Sequence, residues 1–228
     1  MAGVLMLMAS GACTPDEDGR RVEGGESADS GVGEPTGRRD SYLGLFPEFE
    51  AAVFAGAGDE TVELPGGAWA GLVFAEFAGS GAVSVWETDA SGVPISTLVN
   101  RHGPYRGTLA YGLDGLTNAS ALTVRAPAEW TIRILPVTSA AELPPEGSGD
   151  GVFRNLAFDG KVPVTYPGDE VFTMTAFPDF AWPELKIYSI PHLDVSEVVP
   201  GSTASSQISL SQYDRLVVVR STGSWTIG

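Results

Sequence analysis

His102 in NRHGPY and His192 in IPHLD are the chain's 2 histidines, and Cys13 is its 1 cysteine. A zinc centre needs three or four His, Cys or acidic ligands at close spacing. These two histidines stand alone in unrelated contexts and read as loop residues. A lone cysteine makes no internal disulfide and no Cys-rich metal site. Two acidic turns, GAGDE (56–60) and GSGDG (147–151), have the glycine-plus-acid composition of calcium turns. Calcium-binding β-rolls stack such a motif many times, whereas here it comes twice, each time at the entrance to a strand. The reading adopted is a Gly-rich turn whose Asp satisfies local N–H groups, with a calcium turn at Asp59, Glu60 and Asp150 as the alternative. No G-x-S-x-G elbow, H-E-x-x-H or phosphate-cradling G-x-x-x-x-G-K-[ST] occurs, so no nucleophile, base or acid pair is assigned. No cofactor or metal is expected.

Aromatic side chains are the remaining candidates. Trp69 (GGAWAG) and Trp182 (FAWPE) fall in loop-like stretches, Trp86 sits on the polar phase of an alternating run, and Tyr105 reads as the tip of the GPYRG loop. Aromatics presented this way can stack on sugars or anchor a protein partner. The reading favoured over that is a loop packed over the end of a sandwich. Trp130 and Trp225 differ, because each closes a matching segment: ALTVRAPAEWTI (121–132) aligns without a gap on LVVVRSTGSWTI (216–227). They are expected in the core, where a tryptophan buries ~150–250 Å².

Those endings are half of a longer repetition. GAGDETV (56–62) matches GSGDGVF (147–153), and the distance from the Asp to the Trp is 71 positions in one copy (130 − 59) and 75 in the other (225 − 150). Two anchors at nearly equal spacing mean that one unit is written twice. Each unit reads as β. In the first, residues 70–77, 82–88, 107–112, 121–126 and 130–135 are strand candidates; in the second, 161–166, 170–177, 184–190, 206–211, 215–221 and 224–227. Gly79-Ser80-Gly81, Ser91-Gly92, Pro200-Gly201 and Thr222-Gly223 supply the turns. This pattern predicts an all-β chain with two tandem β-sandwiches, jelly-roll or Greek-key-like, at 41–136 and 147–228. A linker at 137–146, stiffened by Pro144-Pro145, would hold them as beads in modest contact.

The chain carries 29 acidic against 13 basic residues, a formal net charge of −16, which disfavours nucleic acid as a partner. No run of 18 apolar residues is present that could span a bilayer as a helix. Residues 1–13 read as a signal peptide: a short apolar run, then Ser10-Gly11-Ala12, then Cys13 and an immediate polar break. This resembles a bacterial lipoprotein signal, which implies acylation of Cys13 and anchoring at the outer face of the cytoplasmic membrane. It differs from that pattern in having no Lys or Arg before the apolar run and Ser10 three residues before Cys13. Residues 14–40 hold no aromatic residue and, of the larger aliphatics, only Val22 and Val32, the composition of a disordered tether.

The segments GAGDETVELP, GSGAVSVWETDASGVPISTLVN, GPYRGT and APAEWTI resemble a tandem β-sandwich repeat of exported actinobacterial lipoproteins. The likeness spans about residues 50–228, and the second copy has PGSTASSQ where the first has GPYRGT. It implies fold and export, and no activity. The expectation is a non-enzymatic lipoprotein that binds an envelope protein or glycan, or acts as a spacer. The alternative is an enzyme, or an accessory subunit of one, acting on cell-wall polymers.

Overall fold

The computed structural model describes residues 43–113, 118–168, 172–178, 196–198, 206–211 and 214–228. The chain divides into two units, Met1–Pro35 and Thr36–Gly228, and all described residues belong to the second. Cys13, the 14–40 segment, Trp182, His192 and the strand candidate at 184–190 lie outside the described residues.

The fold is all-β. The first repeat contains β1 (Ala52–Ala57), β2 (Glu60–Glu63), β3 (Gly71–Phe77), β4 (Ala82–Thr88), β5 (Pro94–His102), β6 (Tyr105–Tyr111), β7 (Ala121–Arg125) and β8 (Glu129–Leu135). They pair as a long rolled-up hairpin, β1 with β8, β2 with β7, β3 with β6 and β4 with β5, all antiparallel. Rolling that hairpin gives two sheets, ordered β1-β8-β3-β6 and β2-β7-β4-β5, which is jelly-roll order. After a short β9 (Ala141–Glu142), the second repeat runs through β10 (Glu146–Ser148), β11 (Gly151–Arg154), β12 (Gly160–Thr165), β13 (Phe172–Pro178), β14 (Ser196–Val198), β15 (Ser206–Leu210), β16 (Asp214–Arg220) and β17 (Ser224–Ile227). Its sheets, β10-β17-β12-β15 and β14-β13-β16-β11-β9, repeat the first order strand for strand, with β9 added in parallel beside β11.

Alternation explains why these segments roll together. In β8, Trp130, Ile132 and Ile134 point inward while Glu129 and Arg133 point out; in β4, Val83 and Val85 are buried while Ser84 and Trp86 are half-covered. The inward residues of both sheets merge into one core per repeat. In the first, Val73, Leu109, Trp130 and Ile132 face Val62, Val85, Leu122 and Val124; in the second, Val164, Trp225 and Ile227 face Phe172, Met174, Val217 and Val219. Each buried aliphatic side chain contributes about 1.5–3 kcal/mol relative to exposure.

Strands β1, β5, β10 and β14 are not among the sequence's strand candidates, and β2 and β11 were legible only as the strands that the two acidic turns enter. Several are only three to six residues long and rich in Gly, Ser and acids, so period-2 alternation has little length in which to show.

The repeats also meet more closely than beads on a linker would. A third buried cluster joins Leu43, Phe46, Ala70 and Leu72 of the first repeat, Val137 and Ala140 of the connecting segment, and Val152 and Leu216 of the second. Within the connection, Val137–Ser139 forms a 3-10 turn, Ala141–Glu142 pairs with β11, and Leu143 is buried in the second core.

Candidate functional site

The paired glycine turns serve the tryptophans. The Trp130 indole N–H donates to the Gly58 carbonyl at 3.0 Å, and the Trp225 indole N–H donates to the Gly149 carbonyl at 3.3 Å. Gly58 and Gly149 hold φ of 81° and 72°, a left-handed backbone that costs a glycine little. Two residues earlier, Gly56 and Gly147 press against the indole rings, where any Cβ would collide with Trp130 or Trp225. The spacing G-x-G therefore provides a flat seat for the ring and, next to it, an acceptor for its N–H. Both tryptophans lie in the cores, 3% and 1% exposed.

The aspartates that follow have diverged. Asp59 and Glu60 are exposed. The Asp150 side chain is only 2% exposed. Its Oδ2 accepts the Tyr105 hydroxyl at 2.8 Å, and its Oδ1 accepts the Ser221 backbone N–H at 2.8 Å. The Arg220 guanidinium stands 3.5 Å away and the Arg101 guanidinium 3.8 Å away. The Arg220 Nη1 also donates to the Leu98 carbonyl at 2.8 Å, and the Thr108 N–H donates to the Asp150 carbonyl at 3.1 Å. Tyr105, Arg101, Leu98 and Thr108 belong to the first repeat, and Asp150, Arg220 and Ser221 to the second, so this one buried carboxylate ties the two together.

Tyr105 is therefore not a displayed loop tip. It opens β6, and Gly107 leaves room for its hydroxyl to pass: a Cβ there would come within 2.5 Å of that oxygen. Burial, then the Asp150 charge and hydrogen bond, push the Tyr105 hydroxyl far above its ordinary pKa of 10.0; Arg220 and Arg101 only partly offset this. Tyr111 is likewise pushed well up, by burial and then by the nearby Glu87 charge, and its hydroxyl donates to the Ala68 carbonyl at 3.1 Å.

Beside this junction lies an open cleft of about 310 Å³ between the outward face of β3, β6 and β8 and the segment running from Ser139 into β11. Phe74 is part of its lining. The Arg106 guanidinium lies over the Phe74 ring at 5.4 Å from the centroid and the Arg133 guanidinium at 5.6 Å, within cation–π range. Register brings them together, since Phe74 sits opposite Thr108 on β6 and Arg133 on β8, with Arg106 two residues along from Thr108. Both arginines are exposed, and among the described residues neither forms an ion pair. Glu76 faces Arg106 across the strands at one end of the cleft, and Thr108 and Ser139 add hydroxyls to its walls.

Of the aromatic candidates, Trp69 is 37% exposed in a loop, with its ring 5.9 Å from that of Phe46. Trp86 lies under the Arg125 guanidinium at 5.2 Å on the opposite sheet. Among the described residues, no ring contact joins Trp69, Trp86 and Tyr105, and none of the three lines the cleft. Its lining residues Phe74, Arg106 and Arg133 were missed in the sequence. The signal was present in LVFAEF: Val73, Ala75 and Phe77 take the inward phase, so Leu72 and Phe74 are apolar residues on the phase that elsewhere carries polar ones. Asp59, Glu60 and Asp150 do not converge, and no cluster of three metal-ligating side chains occurs among the described residues.

No protein-family model and no curated protein matches the chain. A solved structure with some likeness is a "putative secreted protein" of Parabacteroides distasonis, 9% identical, covering 82% of this chain and 90% of that one at a TM-score of 0.23. At that similarity nothing about fold or role passes from one chain to the other.

Proposed function

We propose that this chain is a non-enzymatic binding module of a bacterial cell envelope. Exported and acylated at Cys13, it is held at the outer face of the cytoplasmic membrane by the segment up to residue 40, with both jelly rolls outside. The lipoprotein-type run before Cys13 and the resemblance of residues 50–228 to a tandem repeat of exported actinobacterial lipoproteins support the placement. The cleft supports binding over a spacer role. A spacer needs no concave surface, whereas this cleft presents two exposed arginines, neither within ion-pair distance of a described carboxylate, beside one aromatic ring. The partner is an envelope glycan or protein, and a surface of net charge −16 argues against nucleic acid. Capture from fractionated envelope on the immobilised full chain tests the reading. One glycan or protein enriched over bare matrix is the expected result; no enrichment in any fraction would overturn it.

A further inference from the structure

Arg106 and Arg133 are 2 of only 13 basic residues in the chain. Two exposed positive charges share one ring, with the single carboxylate of Glu76 opposite Arg106 but outside ion-pair distance, so the cleft keeps a local excess of positive charge that attracts an anion. Guanidinium groups bind carboxylates in a planar, two-pronged geometry, and stacking on an aromatic ring fixes their orientation beforehand. The surrounding wall is mixed. Phe74, Leu135 and Phe153, each partly exposed, give apolar surface over the buried Leu72, Ala140 and Val152, while Thr108, Ser139 and Glu76 offer hydrogen-bonding groups.

That combination selects among anions. Glu76 at one end, and the net charge of the whole chain, repel a dense polyanion. A ligand with a single carboxylate among neutral, hydroxyl-rich neighbours avoids this repulsion: the carboxylate meets the arginines, hydroxyls donate to Glu76 and Thr108, and C–H faces cover the apolar wall. Salt screens the remaining surface charge over a Debye length of about 8 Å at physiological ionic strength, so the local pair of arginines governs the encounter at close range.

We infer that the cleft between the two jelly rolls binds a glycan that carries carboxylates on only some of its sugars, with Arg106 and Arg133 holding a carboxylate beside Phe74. This inference rests on the binding reading above and names the ligand's chemistry.

The test is calorimetric titration of the full chain with an oligosaccharide alternating glucuronate and N-acetylglucosamine. Its carboxyl-reduced counterpart and inorganic phosphate are the controls. The intact oligosaccharide should bind, the reduced one at least ~10-fold more weakly, and the Arg106→Gln/Arg133→Gln double variant should lose at least ~10-fold for the intact one. Both arginines are exposed, so the variant should melt with the wild type, and a second variant, Phe74→Leu, should weaken binding while keeping both charges. Equal affinity for the reduced oligosaccharide, unchanged affinity in the double variant, no binding of the intact oligosaccharide, or phosphate binding as tightly as the glycan would each overturn the inference. If envelope capture still enriches a partner and the double variant retains it, the inference fails while the binding reading stands. If nothing is captured, both fail.

Discussion

The Tyr105 hydroxyl donates to Asp150 Oδ2 at 2.8 Å across 45 positions of the chain, and with that bond the first jelly roll grips the second. The same carboxylate accepts Ser221 N–H and faces two arginines, one from each repeat. The partners of a buried charge depend on one another, so removing it leaves the Tyr105 hydroxyl and the Ser221 N–H without this acceptor and takes a shared counter-charge from Arg101 and Arg220.

Asp150→Ala should therefore destabilise the fold by about 3–5 kcal/mol, and Tyr105→Phe by about 1–3 kcal/mol. Asp59→Ala, at the matching position of the first repeat, should stay within about 0.5 kcal/mol. Urea unfolding of the three variants checks the ranking. Equal effects at 59 and 150 would mean that the two aspartates do the same work.

Alkaline pH should weaken the fold through Tyr105 and Tyr111. Both phenols are held above their ordinary pKa of 10.0 in the folded chain, so they keep protons that the unfolded chain releases. Stability from this source is complete below about pH 10 and falls as pH rises beyond it, by up to about 1.4 kcal/mol per pH unit for each phenol. Urea midpoints measured from pH 9 to 11.5 should show this slope, and Tyr105→Phe should reduce it. A slope unchanged in that variant would contradict the buried Tyr105–Asp150 pair.

Trp130→Ala and Trp225→Ala should each cost about 3–5 kcal/mol. Gly56→Ala and Gly147→Ala should also destabilise, because the added methyl group meets the indole ring. Thermal melts compare them with Gly92→Ala, where no atom lies within 4 Å and only the strain of φ 77° remains. If Gly56→Ala and Gly147→Ala cost no more than Gly92→Ala, the ring-seat role of the G-x-G motif is wrong.

Calcium should leave the melting temperature unchanged. Asp59 and Glu60 are exposed at one turn, and the Asp150 carboxylate at the other already has Tyr105, Ser221 and two arginines around it. A calcium-dependent rise, lost in Asp59→Asn, would restore the calcium turn.

The duplication was legible because core and turn residues recur at fixed spacing. Trp130 and Trp225 each pack against a glycine where any Cβ would collide with the indole ring, so ring and glycine recur as a pair. The junction was hidden for the opposite reason. Asp59 and Asp150 look alike along the chain, and only contacts between distant segments make one a surface group and the other a buried bridge. Tyr105 follows a Gly-Pro pair that signals a turn, yet the strand begins on it, and Gly107 clears its path. Arg106 and Arg133 occupy outward strand positions that in isolation read as ordinary solvent-facing charge. They become a pair only once β3 places Phe74 between β6 and β8.

The most direct test of the account is envelope capture on the full chain and on a variant whose cleft is filled, Ser139→Trp, where the replaced side chain is exposed at the cleft wall. One glycan or protein should be enriched with the wild-type chain and lost with the filled cleft, at an unchanged melting temperature. Enrichment that persists in the filled variant, or none with either chain, would contradict the cleft as the working surface of this protein.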